Sequence, residues 1–244
     1  MVEDTFSIDA RFLTTFWQLF RRPGAVARGW SEGKRQTYAS PFRFYLAISL
    51  ALFLMLNIGG EHFVIVNIRG TPTLSSQPSI ATQSNQATGR PAWLERMNSR
   101  LRSELKKASD DKAGFDRAFN EWLPRIAFFM VPVLALLLRL FYWRKSLFFI
   151  DHLVFSFYLH AGVFVFLIVD NLLESILPGP LASYSGDFTL LAALVFVVWS
   201  ACGYYRQSIW LTLAKWLAIS VIYIAALGLA TTAAALIVLG NFAG

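Results

Sequence analysis

The sequence has few charged residues and almost no cysteine. Only 15% of its 244 residues are charged and 56% are hydrophobic, whereas a soluble domain carries roughly 25% charged residues. This composition excludes an ordinary soluble domain and indicates an integral membrane protein with one principal domain. The single cysteine, Cys202, excludes an intramolecular disulfide and a metal site built from several cysteines. It lies in an apolar run, where a free cysteine packs as a small hydrophobic residue.

Acidic residues are also scarce. The chain has 15 acidic residues against 22 lysines and arginines, a net charge of +7. In a soluble protein this excess would suggest a nucleic-acid partner. Here the basic residues flank apolar runs on one side, as the positive-inside rule describes for membrane proteins. We therefore expect a lipid bilayer as the partner and no nucleic acid.

Long apolar runs dominate the rest of the chain. A helix rises 1.5 Å per residue, so a run of about 20 residues crosses a bilayer. The predicted fold is an all-α integral membrane protein with about five transmembrane helices, an N-terminal amphipathic helix and an extramembrane helical hairpin. Five runs reach or approach this length: residues 42–60, 124–143, 147–173, 188–205 and 211–239.

The loops predict the domain organisation and the orientation. Seven lysines or arginines lie in the first 43 residues, and the loop between the third and fourth runs has none. This asymmetry places the N-terminus in the cytoplasm and the C-terminus outside. The loop at 61–121 has nine basic residues, but at about 60 residues it is long enough for the rule to weaken. The predicted domains are a cytoplasmic basic amphipathic segment (1–41), the first transmembrane helix (42–60), a periplasmic linker and hairpin (61–122) and a four-helix transmembrane bundle (123–244).

The basic N-terminal segment contains an apolar face at helical spacing. Phe12, Leu13, Phe16, Trp17 and Phe20 share this face, with Thr15 and other polar residues predicted away from it. Such a face either lies in the headgroup region of the membrane or packs on the protein's own helices. Five basic residues are predicted to contact anionic headgroups: Arg21, Arg22, Arg28, Lys34 and Arg35.

The third apolar run contains the candidate intramembrane polar site, formed by Asp151, His152 and His160. A charge at the bilayer centre costs at least ~2.5–3.5 kcal/mol on insertion scales, so such residues usually face a bundle interior and have a function. His160 lies about 12 Å deeper than His152, because eight residues separate them. This gap excludes one metal ion bound by both rings, since a metal–nitrogen bond is ~2 Å. His160 either packs by hydrogen bonding to a neighbouring helix or lines a polar cavity continuous with Asp151.

Several motifs resemble a known family. They read T-x-x-x-L-x-R-R-P-G, G-K-R-x-x-Y, P-F-R-F-Y, V-P-V-L-A-L-L-L-R-L and D-H-L-V-F-x-x-x-x-H. Together they resemble the bacterial membrane proteins catalogued as domain of unknown function 3667. The resemblance implies a bacterial inner-membrane location and no activity. Many members of this family carry an N-terminal Cys-x-x-Cys segment. This sequence lacks it, so the resemblance implies no zinc site. The motif residues are Thr15, Leu19, Arg21, Arg22, Pro23, Gly24, Gly33, Lys34, Arg35, Tyr38, Pro41, Pro132, Ala135, Asp151, His152 and His160.

Two classes of function are compatible with these features. The first is a non-enzymatic multi-pass inner-membrane protein: a scaffold, an envelope-assembly partner docking through the periplasmic hairpin, or a small permeation pathway. The absence of catalytic motifs favours it, and we expect no cofactor and no metal. The alternative is a membrane enzyme or a redox or proton carrier that uses Asp151, His152 and His160, because an acid and two imidazoles can relay protons.

Overall fold

The structure is a computed structural model that describes residues 2–58 and 112–241. These residues form eight α-helices and no β-strand, as the all-α prediction expects. Most of the predicted periplasmic linker and hairpin, residues 61–111, lies outside the described residues. The helices are α1 (Val2–Arg21), α2 (Ala25–Ser31), α3 (Pro41–Ile58), α4 (Lys112–Asn120), α5 (Leu123–Phe141), α6 (Phe149–Ile176), α7 (Gly179–Tyr205) and α8 (Ile209–Asn241).

Among the described residues, four helical segments are long and apolar enough to cross a membrane. They coincide with the last four predicted runs, and the first run corresponds to α3, whose apolar part, Pro41–Asn57, is shorter. α3 begins at Pro41, one residue before the predicted run, because a proline fits the first turn of a helix. α7 begins at Gly179 and not at Phe188, since its first turns are small or polar and hydropathy detects only its apolar part. The four segments are Arg117–Phe141, Phe149–Ile176, Tyr184–Tyr205 and Ile209–Gly240.

The described residues fall into two compact units. The first contains residues 2–58 and 122–232, and the second contains residues 112–121 and 233–241. In the second unit the rings of Phe115 and Phe119 stack with their centroids 6.1 Å apart. Residues four apart share a helix face, so Phe115 and Phe119 lie on one side of α4.

Helix α6 is the centre of the first unit. It packs against α3, α5 and α7, and also against the short helix α2. Half of its most apolar stretch is buried, whereas only 11% of the corresponding stretch of α8 is buried. The core of this unit therefore lies around α6, and α8 is its most exposed helix.

Helix α1 packs on the protein through part of the predicted face, since Phe12, Phe16 and Phe20 contact the core, but Thr15 and Leu19 are buried with them and two predicted residues are not. Thr15 is completely buried and Leu19 is 2% exposed, whereas Leu13 and Trp17 are 67% and 65% exposed. Phe20 contacts rings on two other helices, with ring centroids 5.4 Å from Phe196 and 5.7 Å from Phe166. The prediction was wrong about Thr15, because a threonine hydroxyl can bond to the carbonyl four residues earlier and then be buried.

The turn between α1 and α2 lies directly on the backbone of α7. Gly24 has φ +82°, and a Cβ atom there would lie 2.3 Å from the carbonyl oxygen of Ser200. From the opposite side, a Cβ atom at Gly203 would lie 2.3 Å from the carbonyl oxygen of Pro23. Only glycine permits this φ and this approach together. Helix α2 begins at Ala25, because Gly24 in this conformation is its N-cap.

Candidate functional site

Asp151, the first residue of the candidate site, caps its own helix. Its Oδ2 accepts a hydrogen bond from the backbone N–H of Phe148 at 2.9 Å, at the N-terminus of α6. A carboxylate in this position satisfies a free backbone donor and interacts favourably with the positive end of the helix dipole. The Asp151 side chain therefore has a local structural role at the start of α6.

His152, the second residue, is buried against α7. It is 1% exposed, and its Nδ1 is hydrogen-bonded to the hydroxyl of Tyr205 at 2.8 Å. The Tyr205 ring stacks on Tyr142 with centroids 3.7 Å apart, and the ammonium of Lys215 lies 4.3 Å from the centroid of the Tyr142 ring. A cation over an aromatic face is attracted by the ring quadrupole. His152 thus belongs to an aromatic column that joins α5, α6 and α7 and ends on a cation from α8.

Tyr204, next to this column, joins α7 to α2 and α6. Its hydroxyl donates to the backbone oxygen of Asp151 at 2.9 Å and lies 3.1 Å from the hydroxyl of Ser31. Its own backbone oxygen accepts a hydrogen bond from the Arg28 guanidinium at 2.9 Å. These contacts place α2 against the ends of the two central helices.

His160, the third residue, is held by two hydrogen bonds. Its Nδ1 lies 2.8 Å from the backbone oxygen of Ser156, and its Nε2 lies 2.8 Å from the hydroxyl of Tyr223 on α8. A carbonyl only accepts, so Nδ1 carries the proton and Nε2 of the neutral ring accepts from the tyrosine. Both ring nitrogens therefore have partners in the described residues, and the ring links α6 to α8.

The structure does not bring the three residues together. Asp151 bonds within its own turn, His152 to α7 and His160 to α8. Within residues 2–58 and 112–241, no three His, Cys, Asp or Glu side chains are placed to hold a metal ion. None of the three residues lines the cavity between α7 and α8 or the small cavity beside Gly24 and Phe155. The geometry thus favours the packing alternative for His160.

Residues 9–53 match the family described as protein of unknown function (DUF3667). The match confirms the predicted resemblance over this segment. The motif residues from Pro132 onward lie outside it, and for them the resemblance stays a prediction. No curated protein and no solved structure matches the chain.

Motif residues of the segment that matches DUF3667 make contacts that hold it against α6 and α7. The Thr15 hydroxyl accepts a hydrogen bond from the backbone N–H of Ala39 at 2.8 Å. The backbone oxygen of Ala39 accepts one from the hydroxyl of Tyr158 on α6 at 2.6 Å. The Pro23–Gly24 turn lies against α7. Together these contacts hold the chain before α2 against α7 and the chain after it against α6. The motif in this segment therefore describes a docking arrangement and not a set of free reactive groups.

The five basic residues predicted at the membrane surface differ in their surroundings. Arg21, Arg22, Lys34 and Arg35 are exposed, whereas Arg28 is half-buried against α7. Burial, together with the nearby positive charge of Arg206, lowers the pKa of Arg28 below its ordinary value. Arg28 therefore serves the packing of α2 first, and the other four present their charges to the surroundings.

Sequence reasoning missed several polar residues of this region. The hydrogen-bond partners of Asp151, His152 and His160 on α6 include three tyrosines, Tyr204, Tyr205 and Tyr223. The sequence signal that could have identified them is their position at or inside apolar runs. Asp170 was also missed, and its Oδ1 is buried without a hydrogen-bond partner among the described residues. It lies in α6 beside α7, where a Cβ atom at Gly186 would be 3.9 Å from its Oδ2.

Proposed function

We propose that this chain is a five-span protein of the bacterial inner membrane, with its N-terminus in the cytoplasm, that acts as a non-enzymatic scaffold or envelope-assembly partner. In this proposal α3 spans the membrane in addition to the four longer helices and is the first span along the chain. The loop at 61–122 lies in the periplasm and meets a protein partner. Four apolar helices and the DUF3667 resemblance support the membrane location. The loop charges support the orientation.

One observation carries the non-enzymatic part of the proposal: the side chains best suited to chemistry are occupied in joining helices or, for Asp151, in capping α6. His160 uses both ring nitrogens, and His152 and Asp151 bond to Tyr205 and to the backbone. A general acid or base needs a proton that can reach a substrate. Polar contacts between membrane helices are, in contrast, a common packing device.

Reporter fusions test the orientation. Alkaline phosphatase, which folds only outside the cytoplasm, is expected to be active when fused after Gly244 and inactive when fused after Lys145. The reason is that five spans with a cytoplasmic N-terminus place the α5–α6 turn inside and the C-terminus outside. Expression of each fusion, checked by immunoblot, is the control. Activity at Lys145 together with silence at Gly244 would invert the topology.

The exposed side of the N-terminal segment is proposed to rest on anionic headgroups. Leu13 and Trp17 are exposed beside Arg21, and each basic residue near an anionic surface contributes ~1 kcal/mol. A peptide of residues 8–36 is expected to bind anionic vesicles, and to bind them more weakly as salt rises, in a flotation assay. Equal binding to neutral vesicles would remove the electrostatic part of this proposal.

Paired substitutions at His160 and Tyr223 separate packing from a functional site. If the two residues only join α6 to α8, His160→Leu and Tyr223→Phe each leave one buried group unpaired, and the double variant leaves neither. We expect a coupling of about 0.6–1.7 kcal/mol, the range found for polar pairs between membrane helices. The measurement is unfolding of the full-length protein in mixed micelles, with complementation of a deletion strain in parallel.

The proposal makes His160→Leu fully functional once the protein is folded, and His160→Asn serves as the variant that stays polar. Loss of complementation in both variants at unchanged stability would contradict it and favour the carrier alternative. Asp170→Asn tests a second candidate carboxylate independently, because one buried oxygen of Asp170 has no hydrogen-bond partner in the described residues. A normal phenotype for Asp170→Asn is expected of a scaffold.

A further inference from the structure

One cavity of the first unit is a groove between α7 and α8. It has a volume of about 660 Å³, within the usual range for ligand sites. It is lined by Leu194, Val195, Val198, Trp199, Cys202, Gln207, Ile209 and Leu213. Five of these eight side chains are exposed apolar residues, so the groove opens on the outer surface of the helices.

The groove has the length of one leaflet of a bilayer. From Leu194 to Arg206, the residue before Gln207, is twelve residues, or about 18 Å along α7. Half of a hydrocarbon core of ~30 Å is about 15 Å. The groove therefore extends from the α7–α8 turn to about the depth where one leaflet ends.

Four cations gather at the turn end of the groove. Arg206 is exposed in the turn and lies near enough to Arg28 to act on its charge. Lys215 donates a hydrogen bond to the side-chain oxygen of the lining residue Gln207 at 3.3 Å and is repelled by Lys145. In the described part of the chain none of the four forms an ion pair, and Glu32 acts on Arg28 from beyond ion-pair distance. This end of the groove therefore carries an excess of positive charge, which Glu32 offsets only in part.

We propose that the groove binds one anionic phospholipid of the cytoplasmic leaflet, with an acyl chain along α7 and its phosphate beside Arg206 and Lys215. The apolar lining accounts for the chain, and the unpaired cations account for the headgroup. Zwitterionic lipids carry a cationic group that these residues repel, so the site selects net negative charge. The proposal rests on the membrane location given under the proposed function, with the α7–α8 turn on the cytoplasmic side.

Cys202 provides a direct probe of the groove, because it is the chain's one cysteine and lines the cavity. The full-length protein is kept in an uncharged detergent, and the rate of alkylation of Cys202 by N-ethylmaleimide is measured during titration with lipid. Dioleoyl phosphatidylglycerol is expected to slow alkylation, with a midpoint at least fivefold lower than that of dioleoyl phosphatidylcholine. In a Cys202→Ser background, Leu229→Cys provides an exposed cysteine on α8 that lipid should not protect selectively.

Two variants and one matched control assign the recognition. Arg206→Gln is expected to raise the phosphatidylglycerol midpoint about fivefold, which corresponds to the ~1 kcal/mol of one basic residue. Arg43→Gln removes the same charge from an exposed position at the start of α3 and should leave the midpoint unchanged. Leu213→Trp fills the groove, and should slow alkylation without lipid and abolish the lipid effect.

Three results would overturn the proposal. Equal protection of Cys202 by both lipids would show that the groove does not select negatively charged lipid. No protection by either lipid would show that lipid does not occupy the groove. Protection by inorganic phosphate alone identifies an ion site in place of a lipid site. A failed lipid titration with the expected reporter pattern removes only this inference, whereas an inverted reporter pattern contradicts the topology in the proposed function.

Discussion

Replacing Gly24 with alanine is expected to destabilise the protein by about 2–5 kcal/mol, the sum of two costs. A positive φ costs a residue with a Cβ atom roughly 1–2 kcal/mol, and overpacking costs typically ~1–3 kcal/mol. The overpacking arises because the new Cβ would lie 2.3 Å from the Ser200 oxygen and 2.7 Å from the Tyr204 nitrogen. These are backbone atoms of α7 and cannot turn away. Unfolding in mixed micelles measures the loss.

Two other glycines separate these costs. Gly33 also has a positive φ, +95°, but no atom lies within 4 Å of a Cβ placed there, so Gly33→Ala carries the backbone strain alone. Gly203 is within α7 and its Cβ would meet the Pro23 oxygen, so Gly203→Ala carries the close contact alone. Gly24→Ala should cost more than either. If Gly24→Ala costs no more than Gly33→Ala, the turn does not depend on close packing against α7.

The membrane helices were largely predictable from the sequence because hydrophobic run length is a direct physical requirement of the bilayer. The predicted starts at residues 42 and 147 lie within two residues of the observed starts of α3 and α6. The start of α7 was not predictable from hydropathy, since the small polar residues after Pro180 are helical without being apolar. The burial of Thr15 in α1 was missed for a different reason. A threonine bonded to its own helix can be buried, and this depends on a partner 24 residues away.

The candidate residues on α6 were found from the sequence, but their roles were not. A histidine in an apolar run predicts a partner or a function, and the sequence does not show which. The partners are tyrosines 53 and 63 residues further along the chain. Tyrosine is common where one end of a side chain is apolar and the other needs a hydrogen bond, so its presence carried little information. The role of Gly24 was equally hidden, because the close contact lies on a helix about 180 residues away.

Replacing Tyr205 with alanine is expected to cost about 3–5 kcal/mol, the usual range for removing a large buried aromatic ring. Tyr205 is 2% exposed and its ring stacks between Tyr142 and His152, so three helices lose contacts at once. Tyr205→Phe keeps the ring and removes only the hydroxyl bonded to His152, which should cost about 1–3 kcal/mol. Tyr184 is a matched control, because it is a tyrosine on the same helix that is 71% exposed. Tyr184→Ala should leave the free energy of unfolding unchanged within ~0.5 kcal/mol.

The ratio of the two Tyr205 losses identifies what joins the helices. If stacking dominates, Tyr205→Phe retains most of the free energy of unfolding. A double-mutant cycle of Tyr205→Ala with His152→Ala then gives a coupling energy between the two residues that is smaller than the free energy lost in Tyr205→Ala alone. If phenylalanine and alanine cost the same, the hydrogen bond to His152 carries the contact and the column of rings contributes little. That outcome would leave His152 with a buried imidazole whose single described partner is essential. It would then be the first residue to test for a role beyond packing.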